Sequence, residues 1–180
     1  YYLTGNLITT GTQQGIWIDA DDVSIDLNGF TIDGSAATSG NGVYVSTGIN
    51  NAKVLNGTIK KCVGNGIYAY NTTNCVFRNL VIVDNSRTSS SYDGITGGIR
   101  VVVENCRIEG NGDAGIVARD GSRIVNNTVI GNGDQGLDIN GAGSYIDGNI
   151  VKENGTNYAF DDGNQLNLLL CEIPETIEWP

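Results

Sequence analysis

One short pattern recurs six times along the chain and constrains its fold more than any other feature. Each copy has a glycine, an aliphatic residue, any residue, and then an aliphatic or small residue. The copies begin at Gly15, Gly42, Gly66, Gly94, Gly115 and Gly136, so successive copies lie 27, 24, 28, 21 and 21 residues apart. A repeat of this length is typical of proteins in which similar structural units stack along one axis.

Further columns of similar residues follow the copies from Gly42 onward, at fixed offsets from one another. They contain Asn56, Asn79, Asn105, Asn126 and Gly148; two residues earlier Val54, Phe77, Val103, Ile124 and Ile146; three residues later Ile59, Ile82, Ile108, Val129 and Val151; and six residues later Cys62, Asn85, Asn111, Asn132 and Asn154. Alternating aliphatic residues predict short strands with one buried face, while Gly and Asn predict bends at which φ turns positive. Stacked asparagines can hydrogen-bond along the axis.

The columns predict an all-β chain that winds into a parallel β-helix of about six coils of 21–28 residues. The β-helix is expected to span residues 1–160, with its longest insertion in the polar segment 86–93. Residues 161–180 are expected to form an extended C-terminal tail, a cap, or a connector to another subunit. A leucine-rich repeat has a similar period but needs a leucine pattern and a helical side, which are missing here.

The composition limits the partners that the chain can have. There are 10 Lys plus Arg against 20 Asp plus Glu, and the net charge of −10 disfavours nucleic acids and anionic membranes. No apolar run approaches the roughly 20 residues of a membrane helix, so no membrane insertion is expected. The four cysteines lack CxxC spacing, which argues against a zinc knuckle. The missing initial Met and signal peptide suggest a mature form or an excised piece.

Two segments, GIWIDADDVSIDLNGF at residues 15–30 and NNTVIGNGDQGLDI at 126–139, resemble the right-handed β-helix repeat proteins of the pectate-lyase-like superfamily. The resemblance covers about residues 1–155 and is specific for the fold. It implies a right-handed solenoid and a location outside the cell or on its surface. It does not specify function, because this superfamily includes pectate lyases, polygalacturonases, phage tailspikes and non-catalytic surface proteins.

The resemblance also indicates which catalytic residues an enzyme of this superfamily would need. Pectate lyases use calcium-binding acids and an arginine base on one face of the solenoid, and this chain offers Asp19, Arg119, Asp120 and Asp138 on such a face. Polygalacturonases use paired aspartates with a histidine, and the absence of His excludes that pattern as it stands. The same absence excludes a Ser-His-Asp triad. The sequence therefore leaves enzymatic activity uncertain and leans against it.

An aromatic stripe is predicted on one outer face of the first coils. The second residue after each repeat glycine should point outward, because its neighbours point inward. Trp17, Tyr44 and Tyr68 hold this position, and Tyr70 lies two residues further along the same strand. Such a stripe can stack on sugars, anchor a protein contact, or lie beneath a loop or tail.

A calcium site is a further candidate. Asp113 and Asp134 end two Asn-Gly-Asp turns one coil apart, so their carboxylates should stack. Ca²⁺ binds carboxylate and carbonyl oxygens and would relieve the repulsion between the two charges. The alternative is a pair of solvated turns. Ca²⁺ is the only cofactor that the sequence suggests.

The chain ends suggest self-assembly. In many proteins of the resembled superfamily a segment like IPxTIxxPG precedes one like YYLTGNL, whereas here the order is reversed. The reversed order has three interpretations. The chain is one period of a longer tandem array, or it is a fibre subunit whose tail meets the head of the next subunit. The third interpretation is a trimmed chain or an ordinary C-terminal cap. The predicted assembly residues are Tyr1, Tyr2, Leu3, Ile173, Pro174, Ile177 and Trp179.

These observations favour a structural extracellular or cell-surface module that stacks head to tail with copies of itself. Two alternatives remain. One is a polysaccharide-active enzyme, chiefly a Ca²⁺-dependent lyase. The other is a glycan-binding adhesive module that uses the aromatic stripe.

Overall fold

The computed structural model describes residues 1–86 and 91–167, and these residues form strands and turns with no helix. No segment among them could therefore cross a membrane as a helix. The strands are β1 (Leu7–Gly11), β2 (Ile16–Ile18), β3 (Ser24–Asp26), β4 (Thr31–Ala37), β5 (Val43–Val45), β6 (Lys53–Lys60), β7 (Ile67–Tyr68), β8 (Val76–Val83), β9 (Ile95–Thr96), β10 (Val102–Glu104), β11 (Arg107–Glu109), β12 (Ile116–Arg119), β13 (Arg123–Val125), β14 (Thr128–Ile130), β15 (Gln135–Asn140), β16 (Tyr145–Asp147), β17 (Ile150–Lys152), β18 (Thr156–Phe160) and β19 (Gln165–Asn167).

The strands form two sheets in which equivalent strands of successive coils pair in parallel. One sheet has seven strands in the order β18-β15-β12-β9-β7-β5-β2, and the other has twelve. The repeated pattern stacks in register, since Ile16 pairs with Val43 and Val43 with Ile67. The predicted all-β parallel β-helix is confirmed by this topology. The seven rows of the smaller sheet give seven coils, one more than the six predicted.

The seventh coil lacks the repeat glycine, which is why the sequence pattern did not reveal it. Strand β18 pairs with β15 through Gln135 and Thr156, which places Asn157 beside Gly136. Strand β19 then pairs with β16, so β-helix pairing continues past the predicted boundary at residue 160. The remainder of the predicted tail, residues 168–180, lies outside the described residues.

The repeat glycines are required by close packing between coils and not by a left-handed backbone. A Cβ built on Gly115 would lie 2.4 Å from Val129 Cγ1 and 2.7 Å from the carbonyl oxygen of Gly136. The other five repeat glycines meet the same kind of contact, and none has positive φ. The expectation of positive φ at these glycines is wrong. Asn157 can carry a side chain because no described strand stacks beyond β18.

Positive φ belongs instead to the asparagine column at the bend between the two halves of the twelve-stranded sheet. In Asn56, Asn79, Asn105 and Asn126 φ lies at 58°, 56°, 55° and 55°, and in the equivalent Gly148 it is 64°. Asparagine and glycine tolerate this region better than other residues. The same corner is therefore turned in the same way in coil after coil.

The core is a stack of aliphatic layers with a buried ladder of asparagines at one corner. The columns headed by Val54 and Ile59 are buried through most coils. In the ladder, the backbone N–H and Nδ2 of Asn111 both donate to Oδ1 of Asn132, at 3.0 and 2.9 Å. Asn85 makes the same pair of bonds to Asn111, and Asn132 to Asn154. The ladder thereby satisfies polar groups that would be costly to bury unpaired.

We expect Asn111→Ala to lower the free energy of unfolding by about 2 to 4 kcal/mol, because it leaves the backbone N–H of Asn85 buried without an acceptor. It also removes the closer of the two acceptors of Asn85 Nδ2, the other being the carbonyl oxygen of Ile59 at 3.3 Å. The matched control is Asn79→Gly, which removes an exposed asparagine but keeps a residue suited to the φ of 56°. That variant should change stability by no more than about 0.5 kcal/mol. Urea denaturation of both variants measures the difference, and equal losses would contradict a special role for the ladder.

Candidate functional site

The outer face of the seven-stranded sheet carries one aligned column of side chains, the second residue after each repeat position. The pairing places Trp17, Tyr44, Tyr68, Thr96, Val117, Asp138 and Ala159 in that order along the axis. The column is therefore aromatic in the first three coils, holds Thr96 and Val117 in the next two, and ends with Asp138 and Ala159.

The three aromatic residues, here called the aromatic rail (Trp17, Tyr44 and Tyr68), are in ring contact. The rings of Tyr44 and Tyr68 are stacked, with centroids 5.6 Å apart and an interplanar angle of 4°. Trp17 meets Tyr44 edge to face at 5.8 Å and 88°. The structure thus brings together the residues predicted for the aromatic stripe, and each ring restricts the orientation of the next.

Trp17 is the most exposed member of the rail, with 65% of its surface accessible. Its indole Nε1 donates a 2.7 Å hydrogen bond to Ser46 Oγ, so the ring is held in place although it faces solvent. Two clefts of about 400 and 380 Å³ meet at Trp17. The larger is lined also by Tyr1, Ile18, Asp19, Ala20, Val23 and Ile25, and the smaller by Thr12, Gln13 and Gln14. An exposed but oriented indole therefore stands between an apolar cleft and one that is lined by the polar residues Thr12, Gln13 and Gln14.

Tyr70, the fourth residue of the predicted stripe, lies beside the rail and is 40% exposed. The Arg119 guanidinium carbon lies 5.1 Å from the centroid of its ring, at cation–π distance. Arg119 is two coils away, and the equivalent residue of the intervening coil is Gly98, which has no side chain to separate them. Tyr70 and Arg119 thus form a second, charged contact next to the rail.

The sequence did not single out Asp93, which precedes Gly94. Asn41 and Asn65 hold the same place in earlier coils, and Asp93 continues their ladder by accepting from the backbone N–H of Ala114 at 3.2 Å. Burial raises the pKa of Asp93 to about 6; the hydrogen bond from Thr96 at 2.6 Å acts against this shift, and the charges of nearby aspartates add to it. The asparagines at the two earlier positions were the signal that could have identified it.

The predicted calcium pair lies close together on successive turns. The backbone N–H of Asp134 donates to the carbonyl oxygen of Asp113 at 3.2 Å. Burial raises the pKa of Asp113, and the charge of Asp134 raises it further. Burial also raises the pKa of Asp138, with contributions from the charges of Asp161, Asp134 and Asp113. Within residues 1–86 and 91–167 no three His, Cys, Asp or Glu residues are grouped as a metal site. Calcium binding at Asp113 and Asp134 stays a prediction.

The other predicted site residues are dispersed. Asp19 lines the larger cleft, whereas Asp120 accepts from the backbone N–H of Ala142 at 3.1 Å and so helps to form a turn. At the N-terminus, Tyr1 and Tyr2 are 87% and 71% exposed. The Leu3 N–H donates to the carbonyl oxygen of Asp26 at 2.9 Å, so this segment lies along β3. The assembly residues Ile173, Pro174, Ile177 and Trp179 lie outside the described residues.

The coiled parallel sheets and the columns on their faces define the chain as a β-solenoid protein of the parallel β-helix class. The family described as "Right handed beta helix region" matches residues 1–154, and the chain belongs to this family. The predicted right-handed fold and pectate-lyase-like resemblance are thereby confirmed. No curated protein matches the chain.

Among solved structures, the chain is similar to the A-module of mannuronan C-5 epimerase AlgE4 from Azotobacter vinelandii. The TM-score is 0.58 at 15% sequence identity, and the match covers 92% of this chain and 54% of the module. The chain thus spans about half the length of that module. At this identity the likeness concerns the fold.

We expect Asp93→Asn to stabilise the protein above pH 6 and to have little effect near pH 4. Because folding raises the pKa of Asp93 to about 6, the native state binds more protons than the unfolded state between about pH 4 and 6. Stability therefore falls as the pH rises through this window, and a neutral asparagine avoids the loss. The expected gain at pH 7.5 is on the order of 1 to 3 kcal/mol.

Urea denaturation at pH 4 and pH 7.5 measures this gain, with Asp19→Asn as the control for removing one negative charge from an exposed position. A gain for Asp93→Asn that is the same at both pH values, or no larger than that of the control, would show that Asp93 is not the titrating group.

Proposed function

We propose that the chain is a polysaccharide-binding module whose ligand lies on the aromatic rail, with Trp17 at the centre of the site. The observation that carries the proposal is an indole that is 65% exposed, oriented by a hydrogen bond to Ser46, and flanked by two clefts. Rigid aromatic rings offer large contact areas at a small cost in conformational entropy.

The lining of the two clefts suits a sugar, which has apolar C–H faces and hydroxyl edges. Ile18 and Val23 give the larger cleft an apolar wall, while Thr12 and Gln13 bring hydroxyl and amide groups to the smaller one. A few polar groups around an aromatic surface are the usual composition of a small-ligand site. The rail continues along the axis through Tyr44 and Tyr68, which gives an extended ligand further contacts.

The fold supports this proposal by analogy, since a structurally similar solenoid is a mannuronan epimerase module. That module is named for the epimerisation of mannuronan, whereas the present chain is proposed to bind a polysaccharide without an assigned reaction. The lyase-like alternative remains a second use of the same face, for which Arg119 and Asp138 are the candidate groups.

Trp17→Ala should weaken binding of the glycan by at least about tenfold, because it removes the exposed ring that separates the two clefts. Glycan-array screening of the full chain would identify the ligand, and isothermal titration calorimetry would measure the loss. Tyr44→Ala should weaken binding less, since Tyr44 mainly orients Trp17.

The matched control is Tyr145→Ala, which removes a 39% exposed tyrosine from the twelve-stranded sheet. It should leave the affinity unchanged. The proposal fails if no glycan binds, or if Trp17→Ala binds as tightly as the unaltered chain while remaining folded.

A second candidate function is the head-to-tail structural module. Among the described residues, β1 and β2 each pair on one side only, and Tyr1, Tyr2 and Ile8 are exposed at this end. Unpaired strand edges favour addition of further strands. Electron microscopy of the purified chain tests this candidate. We expect filaments with a uniform axial repeat, shortened or abolished by Ile8→Lys, and a monomer at all concentrations would contradict it.

A further inference from the structure

The charged groups around the aromatic rail restrict the ligand that it can take. The two clefts at Trp17 contain no Lys or Arg, and Asp19 is the only charged side chain among their lining residues. Neither cleft thus offers a cationic side chain to a carboxylate-bearing sugar.

The strands of the seven-stranded sheet likewise carry few cations. Arg119 is the only Lys or Arg in the strands of the seven-stranded sheet, and its guanidinium already lies over Tyr70. Acidic residues lie on this face or on the turns beside it at Asp19, Asp93, Asp113, Asp134, Asp138 and Asp161. On this face an extended polyanion would therefore meet several acidic groups but only Arg119 among the strand residues, and Arg119 already contacts Tyr70. The turn after β9 adds Arg100, whose Nε donates to Asn74 Oδ1 at 2.8 Å.

Several of the described cations lie on the twelve-stranded sheet. Lys60 pairs with Asp33 at 3.2 Å, and Arg78 and Arg123 both pair with Glu104 at 2.7 and 3.6 Å, all on the twelve-stranded sheet. In these three pairs the positive charge is neutralised by a neighbouring carboxylate. The segregation leaves the aromatic face negative within a chain whose net charge is already −10.

We propose that the aromatic rail takes a polysaccharide that carries no carboxylates, and that it discriminates against polyuronates by charge repulsion. The inference rests on the proposed function and names its ligand class. Neutral pyranose rings pack on Trp17 with their hydroxyl groups toward Gln13, Thr12 and the Asp19 carboxylate. A carboxylate on each sugar would add repulsion from Asp19 and from the acidic half of the face, without a compensating ion pair.

The test compares one backbone in two charge states. Mannuronan and its carboxyl-reduced, neutral derivative are titrated into the full chain by calorimetry at low salt with EDTA present. We expect the neutral polymer to bind at least about tenfold more tightly. Raising the salt to about 0.5 M should narrow the gap by strengthening binding of the polyuronate, since salt screens repulsion, while the neutral polymer is little affected.

A variant tests the origin of the discrimination. Asp19→Asn should improve polyuronate affinity several-fold and leave affinity for the neutral polymer within about twofold, because it removes the charge nearest to Trp17. Asp147→Asn, at a position on β16 of the twelve-stranded sheet, is the control and should change neither affinity. If the array identifies a different glycan, the same comparison uses that glycan and its oxidised, carboxylate-bearing form.

Each outcome separates the two proposals. Binding of the polyuronate as tight as that of the neutral polymer overturns the charge inference and leaves the saccharide-binding function standing. Polyuronate binding that appears only with added Ca²⁺ also overturns it, and assigns the acids to a cation site. If no neutral or charged polymer from the array binds, the proposed function itself falls.

Discussion

Contact between successive coils at the repeat glycines is the constraint on which the rest of the structure depends. At Gly42, Gly66, Gly94 and Gly115 the next coil's carbonyl oxygen lies only 2.6–2.7 Å from where a Cβ would be. Such spacing lets parallel strands of neighbouring coils pair without interruption, and it brings the core aliphatic residues into layers. The buried asparagine ladder and the shared positive-φ corner then hold each coil in the same shape as its neighbours.

Much of the fold was predictable because its requirements repeat. Inward-pointing residues such as Phe77 and Ile108 recur at fixed offsets, and periodicity of that kind reports burial directly. The seventh coil escaped prediction because Asn157 replaces the glycine at the one place where no described coil stacks on it. The predicted reason for the repeat glycines, a positive φ, was also wrong, since composition cannot distinguish a left-handed backbone from close packing between coils.

The site was predictable only in part. The outward position of Trp17, Tyr44 and Tyr68 followed from strand alternation, but their mutual contacts and the clefts beside Trp17 depend on turn geometry that has no period. Asp93 was missed because its environment is set by the residues stacked above and below it. Outward side chains lie outside the aliphatic core, so their types change along the column from Trp17 to Ala159 while the core residues stay aliphatic.

Coil length varies mainly at the turns between strands, and this has a consequence for how such chains can change in size. The steps between repeat glycines range from 21 to 28 residues, yet equivalent strand residues remain in register. Duplication or deletion of one whole turn, such as the 21 residues from Gly115 to Gln135, would reproduce every interface between layers. Loss of a fraction of a turn would instead place side chains against carbonyl groups. Genetic length variation in this chain should therefore occur in complete layers or at the corners, so that the rod can lengthen while its surface sites are left intact.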